Sequence, residues 1–128
     1  MIAVDTSALM AVLRKELLGE ACEAALKVKE PIMMSAATLT ECLIVARRKR
    51  TLPGMEILLQ RLQLTVLDVT PEVALAAAEA YGRWGKGFHE AGLNYGDCFS
   101  YVVAKAHDCP LLYVGDDFAR TDVRSALA

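Results

Sequence analysis

Short apolar runs, each followed at once by a helix-starting residue, recur along this chain and restrict it to a narrow set of folds. Met1-Ile2-Ala3-Val4 leads into Asp5, Ile32-Met33-Met34 into Ser35, and Leu111-Leu112-Tyr113-Val114-Gly115 into Asp116-Asp117. Runs this short and this apolar are strands buried on both faces, and helices between them let consecutive strands lie parallel. The pattern predicts an α/β chain: a three-layer α/β/α arrangement around a central parallel sheet. Strands are expected over Ile2–Asp5, Ile32–Met34, Leu64–Val69 and Leu111–Val114. Helices are expected over Ser7–Lys15 (capped by Thr6 or Ser7), Glu20–Lys29, Ser35 to about Arg48, and Met55–Gln63 after a Pro53-Gly54 turn. Two more follow: one from Thr70-Pro71 to about Trp84, and one over Gly96–His107 beyond a glycine-marked loop. A terminal turn or short helix completes the chain.

At 128 residues, 55% of them hydrophobic, the chain is long enough for one core, and no repeat or linker divides it. A single domain over 1–128 is expected. The net charge of −2 gives no global pull toward nucleic acid, so any such contact must come from a local basic patch. Cys22, Cys42, Cys98 and Cys109 lack metal-ligand or disulfide spacing and read as buried thiols of a reducing compartment. With no secretion-signal pattern and no membrane-length apolar stretch, a cytoplasmic location is expected.

Acidic residues stand out against this background. Asp5 and Asp116-Asp117 fall at the carboxyl ends of expected strands, where parallel sheets bind ligands. Glu41 sits among Ala37, Thr38, Ile44 and Val45 on a small, apolar helix face; it either points into a cleft or pairs with Arg47 or Arg48. Asp97 opens an apolar helix whose dipole favours its ionised form. Gathered carboxylates repel one another and call for a compensating cation. An all-oxygen set suits Mg²⁺ or Mn²⁺. Asp5 could instead merely cap a helix, and Asp116 or Asp117 merely turn the chain.

Four segments carry a family resemblance: Val4-Asp5-Thr6-Ser7-Ala8-Leu9, Ser35 to Glu41, Asn94-Tyr95-Gly96-Asp97-Cys98, and Leu112 to Asp122. In this order they resemble the motifs of PIN-domain ribonucleases, and within those the VapC toxins of bacterial toxin–antitoxin pairs. The resemblance implies a Mg²⁺-dependent endoribonuclease, with Mn²⁺ able to substitute. It implies Asp5, Glu41, Asp97 and Asp117 as catalytic metal ligands, and Asp122 as an extra contributor. Ser7, Thr6, Asp116 and Thr121 are the supporting positions. An RNA substrate, a cognate antitoxin and a homodimer are the implied partners.

Arg47-Arg48-Lys49-Arg50 is the candidate RNA contact, Arg47 and Arg48 foremost, although basic residues also suit any helix C-terminus. Trp84 and Phe88 could stack on a base or belong to packing. His89 and His107 read as structural or surface residues. Three other readings remain: a receiver domain, disfavoured because no acidic pair follows the first strand; a non-catalytic RNA- or peptide-binding module; and an RNA-processing nuclease without a toxin role.

Overall fold

The computed structural model describes residues 1–127. Among these the chain runs β1 (Ile2–Val4), α1 (Thr6–Leu13), α2 (Gly19–Ala25), β2 (Ile32–Ser35), α3 (Ala36–Arg48) and α4 (Leu52–Leu62). It continues through β3 (Thr65–Leu67), α5 (Pro71–Trp84), α6 (Tyr95–Ala106), β4 (Leu111–Leu112) and a 3-10 turn (Phe118–Arg120). The strands form one parallel sheet in the order β3-β2-β1-β4.

Successive strand residues point to opposite faces, and this alternation divides the core in two. Ile2, Val4, Ile32, Met34 and Leu112 face one layer with Leu9, Cys22 and Met55 from α1, α2 and α4. Ala3, Met33 and Leu111 face the other with Ala77 and Ala80 of α5 and Phe99 and Val103 of α6. Helix α3 spans both, with Cys42 and Ala46 in the first layer and Ala37 against the second. The expected three-layer α/β/α architecture is therefore the observed one.

Topology fixes where a site can open. The chain steps outward from β1 to β2 to β3, then returns over α5 and α6 to lay β4 on the other side of β1. This reversal leaves a crevice at the carboxyl ends of β1 and β4, the position where such sheets hold ligands.

Local chemistry corrects several expected boundaries. Asp5, not Thr6 or Ser7, caps α1, accepting from the Ser7 amide at 3.1 Å. Helix α4 starts at Leu52, ahead of the expected Met55, so Pro53-Gly54 lies inside its first turn. Proline is tolerated there because a first-turn N–H has no helical partner to lose. β1, β3 and β4 are shorter than expected because pairing stops where the chain peels off toward the next helix or loop, whereas β2 runs one residue further, to Ser35. The loop after α5 doubles back on itself: Lys86 N donates to Leu93 O and Leu93 N to Trp84 O. Gly87 and Gly92 take the positive φ values, 91° and 64°, that this reversal needs.

Beyond β4, Leu111 exchanges backbone hydrogen bonds with Arg124 and Ala126, so the terminal segment covers that sheet edge. All four cysteines are buried and free, as their spacing predicts. Among the described residues no helix is long and apolar enough to cross a membrane.

Candidate active site

Three elements bring acids to the β1–β4 crevice. Asp5 stands at the β1–α1 corner, Glu41 on the second turn of α3 and Asp97 on the first turn of α6; all three line one open pocket of about 330 Å³. Met10 and Val45 form part of its apolar wall. Among the described residues the ion pairs lie elsewhere, and no Lys or Arg neutralises any of these three carboxylates. The alternative pairing of Glu41 with Arg47 or Arg48 is therefore not formed.

Asp5 is 4% exposed and is held at both oxygens. Oδ2 accepts from the Ser7 amide and from Ser7 Oγ at 2.7 Å, and Oδ1 accepts from Ser100 Oγ at 2.6 Å. A carboxylate offers about four acceptor positions, so these three hydrogen bonds leave about one free. Cap and pocket ligand are thus compatible roles for the same side chain. Ser7 Oγ also accepts from Val114 N at 3.1 Å, tying the end of β4 to the same corner. Ser100 Oγ lies 3.3 Å from Thr38 Oγ1, which extends the network to α3.

Glu41 Oε1 accepts from Thr6 Oγ1 at 2.9 Å. Its carboxyl lies over Gly96: a Cβ at that position would collide with Oε2 and sit 2.8 Å from Cδ. Glycine next to Asp97 therefore leaves open the space that the Glu41 carboxyl occupies. Burial pushes the Glu41 carboxyl above its usual range; the Thr6 hydroxyl opposes the shift and the Asp5 charge adds to it.

Asn94 and Asp97 form a reciprocal cap at the start of α6. Asp97 N donates to Asn94 Oδ1 at 2.8 Å, and Asn94 N donates to Asp97 Oδ2 at 3.0 Å. The Asp97 carboxyl is nevertheless pushed up to about 7, first by burial and then by the charges of Asp5, Glu41 and Asp117, with the Asn94 amide opposing. The expectation that the helix dipole keeps this group ionised is corrected: burial, with the neighbouring carboxylate charges adding to it, outweighs the dipole in the metal-free chain.

Other sequence candidates fall at varying distance from this centre. Asp117 begins the 3-10 turn and is exposed, but its charge reaches Asp97; Asp116 is exposed beside it. Thr121 donates to Phe118 O and accepts from Val123 N, so its hydroxyl serves the turn rather than a carboxylate of the pocket. Asp122 is taken up by Tyr101 Oη at 2.7 Å and Lys105 Nζ at 3.2 Å, away from the pocket. Trp84 is a packing residue, donating to Tyr101 Oη, whereas Phe88 is 68% exposed. His89 accepts from Ala91 N and packs against Trp84, a structural role. Arg47 and Arg48 are exposed at the end of α3.

Ser100, Thr38 and Gly96 carry functions that the sequence reading missed. A serine inside the apolar run Cys98 to Ala104, one turn beyond Asp97, is the signal that could have exposed Ser100.

As placed, the acids do not close around a single point: among the described residues no three His, Cys, Asp or Glu side chains stand ready to grip one ion together. The donor set still fits Mg²⁺, a hard ion that keeps several waters and takes only one or two carboxylates directly. Uncompensated charge and a raised Asp97 point the same way, because a cation would relieve both. Asp5, Glu41 and Asp97 would hold it, with Asp117 at the rim.

Two outcomes follow from this geometry. Folded Asp97 keeps its proton up to about pH 7, while the unfolded chain releases it at about 4. Between these values the folded state binds more protons, so metal-free stability falls as pH rises. Thermal unfolding of the Asp97→Asn variant should lack this loss, its advantage over the parent growing across that window and levelling above it. Gly96→Ala should displace the Glu41 carboxyl without unfolding the chain. Denaturant unfolding is expected to show stability unchanged or raised by up to about 1 kcal/mol, while Mg²⁺ titration shows affinity falling about 10- to 100-fold.

Comparison with known proteins places this geometry in context. The model of the PIN domain family matches residues 2–124. "VapC ribonuclease Mb0640" of Mycobacterium bovis is 42% identical over 125 residues, covering 95% of each chain. "Ribonuclease VapC" of Mycolicibacterium smegmatis is also 42% identical, over 95% of this chain and 97% of that one. The fold matches the crystal structure of Mycobacterium tuberculosis VapC20, described as a sarcin-ricin loop cleaving toxin, with TM-score 0.75, 21% identity and 96% of each chain covered. It also matches a toxin-antitoxin complex from Klebsiella pneumoniae, with TM-score 0.71, 16% identity and coverage of 95% and 93%.

Proposed function

Because the chain belongs to the PIN-domain family, among its VapC ribonucleases, we propose that it is a metal-dependent endoribonuclease and the toxin of a toxin–antitoxin pair. The observation that carries the chemistry is the convergence of Asp5, Glu41 and Asp97 on one pocket where, among the described residues, no Lys or Arg pairs with them. Such a pocket repels an RNA phosphate unless a cation is present, so substrate and Mg²⁺ must bind together.

When bound, Mg²⁺ supplies positive charge to the oxygens of an in-line phosphodiester displacement and eases ionisation of the attacking water. The chain's own residues supply position. Ser7 and Ser100 fix the Asp5 carboxylate in one orientation, and Thr6 and Gly96 fix Glu41. Asn94 fixes Asp97, and Asp117 contributes charge from the rim. Arg47 and Arg48, at the end of the helix bearing Glu41, contact RNA phosphates outside the pocket. The partners of this reading are RNA, a cognate antitoxin protein and a second copy of the chain. Four free, buried thiols suit a cytoplasmic setting.

Incubation of the partner-free protein with structured RNAs tests the reading. Cleavage should require Mg²⁺ or Mn²⁺ and stop with chelator. Ser100→Ala, which removes a support of Asp5, should lose about 10- to 100-fold, and Asp97→Asn should lose more. Chelator-resistant cleavage, or full activity in Asp97→Asn, would remove this pocket from the reaction.

A further inference from the structure

Among the described residues, the polar or charged side chains that are buried are Asp5, Thr6, Ser35, Thr38 and Ser100. Ser35 is spent capping α3. Asp5 lines the acidic pocket, while Thr6 and Ser100 each donate to one of its carboxylates. Thr38 differs: it is 1% exposed, does not line the pocket, and its side chain reaches a carboxylate only through Ser100. Thr40, two residues on, gives its hydroxyl to Ala36 O, the usual recourse of a helical threonine. Thr38 lies in the first turn of α3, where the residue four places back, Met34, belongs to β2. Its hydroxyl meets Ser100 Oγ of α6 instead, at 3.3 Å.

The number of protons sets the direction of this contact. Ser100 carries one O–H, and its 2.6 Å bond to Asp5 Oδ1 uses it, because an ionised carboxylate only accepts. Ser100 Oγ therefore accepts from Thr38 Oγ1, and the chain runs from Thr38 to Ser100 to Asp5. Hydrogen bonds in such a chain polarise and strengthen one another. Ser100 also has a competing acceptor, since a serine within a helix can turn its proton to the carbonyl four residues back, here that of Gly96. A donor on its far side keeps that proton aimed at Asp5. We infer that Thr38 is a positioning residue of the metal site: acting through Ser100, it holds the Asp5 carboxylate in the orientation that presents its remaining acceptor position to the pocket. The inference rests on the metal-dependent ribonuclease reading above and adds to it a residue that touches neither metal nor RNA. A hydroxyl pair that served only to join α3 to α6 would be replaceable by two apolar groups at little cost. The link to Asp5 is what gives this buried polarity a use.

The test is calorimetric titration of Mg²⁺ into Thr38→Val, Thr38→Ser, Ser100→Ala and the combined Thr38→Val, Ser100→Ala protein. Thr38→Val keeps the shape and removes the hydroxyl; it should weaken Mg²⁺ binding about tenfold, the low end of the losses seen when the partners of a metal ligand are removed. Thr38→Ser keeps the hydroxyl and should retain the parent affinity. With Ser100→Ala already present, Thr38→Val should cost nothing further, because its effect passes through Ser100. Single-turnover cleavage at limiting Mg²⁺ should fall in the same ratio, with KM for RNA unchanged. Parent-like Mg²⁺ affinity in Thr38→Val overturns the inference. So does a tenfold loss that persists in the Ser100→Ala background, which would make Thr38 a packing residue between α3 and α6. Should Thr38→Val not fold, Thr38→Ala set against Thr38→Ser carries the same comparison. If Mg²⁺ affinity follows the expected pattern yet the parent cuts no RNA, the ribonuclease reading fails while the positioning role stands. A parent that binds no Mg²⁺ removes both.

Discussion

Repulsion among carboxylates at one end of the sheet is the constraint on which the rest of this structure turns. Asp5, Glu41 and Asp97 come from three separate elements and meet where, among the described residues, no Lys or Arg pairs with them. A fold does not gather like charges for stability; each raises the cost of ionising the next. The Asp97 carboxyl is raised first by burial, and the charges of Asp5, Glu41 and Asp117 push it further the same way. What keeps the acids in place is a set of neutral donors. Ser7, Ser100, Thr6 and the Asn94 amide each give a hydrogen bond to a carboxylate, so position is fixed without cancelling the charge a metal needs.

The scaffold makes this gathering possible at little expense in backbone strain. Asp5 and Asp97 each use a helix start, where N–H groups point outward and negative charge is favoured. Glu41 depends on a missing side chain at Gly96, since any Cβ there would occupy the space of its carboxyl. Reversal of strand order at β1, with β2 on one side and β4 on the other, opens the crevice, and the Ser7–Val114 hydrogen bond ties its edge together. Fold and site are therefore linked through a few residues at strand ends rather than through the bulk of the core.

Much of the architecture is legible in the sequence because its signals are local. Ile2, Val4, Ile32, Met34 and Leu112 announce buried strands, Thr70-Pro71 announces a helix start, and the acids after β1 and β4 lie where topology puts ligands. Signals failed where two local roles competed. Asp5 proved to cap α1 while facing the pocket, and Pro53 entered a first helical turn instead of preceding it. They failed more deeply for contacts between distant residues. Ser100 reaches Asp5 across 95 positions, and Thr38 reaches Ser100 across 62, separations that periodicity cannot report. The family resemblance implies Asp122 and Thr121 as contributors beside Asp117, yet side-chain direction sends one to Tyr101 and Lys105 and the other into its own turn.

Calorimetric titration of Mg²⁺ into the metal-free protein near neutral pH, repeated in buffers of different ionisation heat, counts the protons released on binding. A metal ligand must be deprotonated, and Asp97 is partly protonated under these conditions. Net proton release in the parent, abolished in Asp97→Asn, is the result this account requires. Binding without release in the parent, or release that persists unchanged in Asp97→Asn, would contradict it.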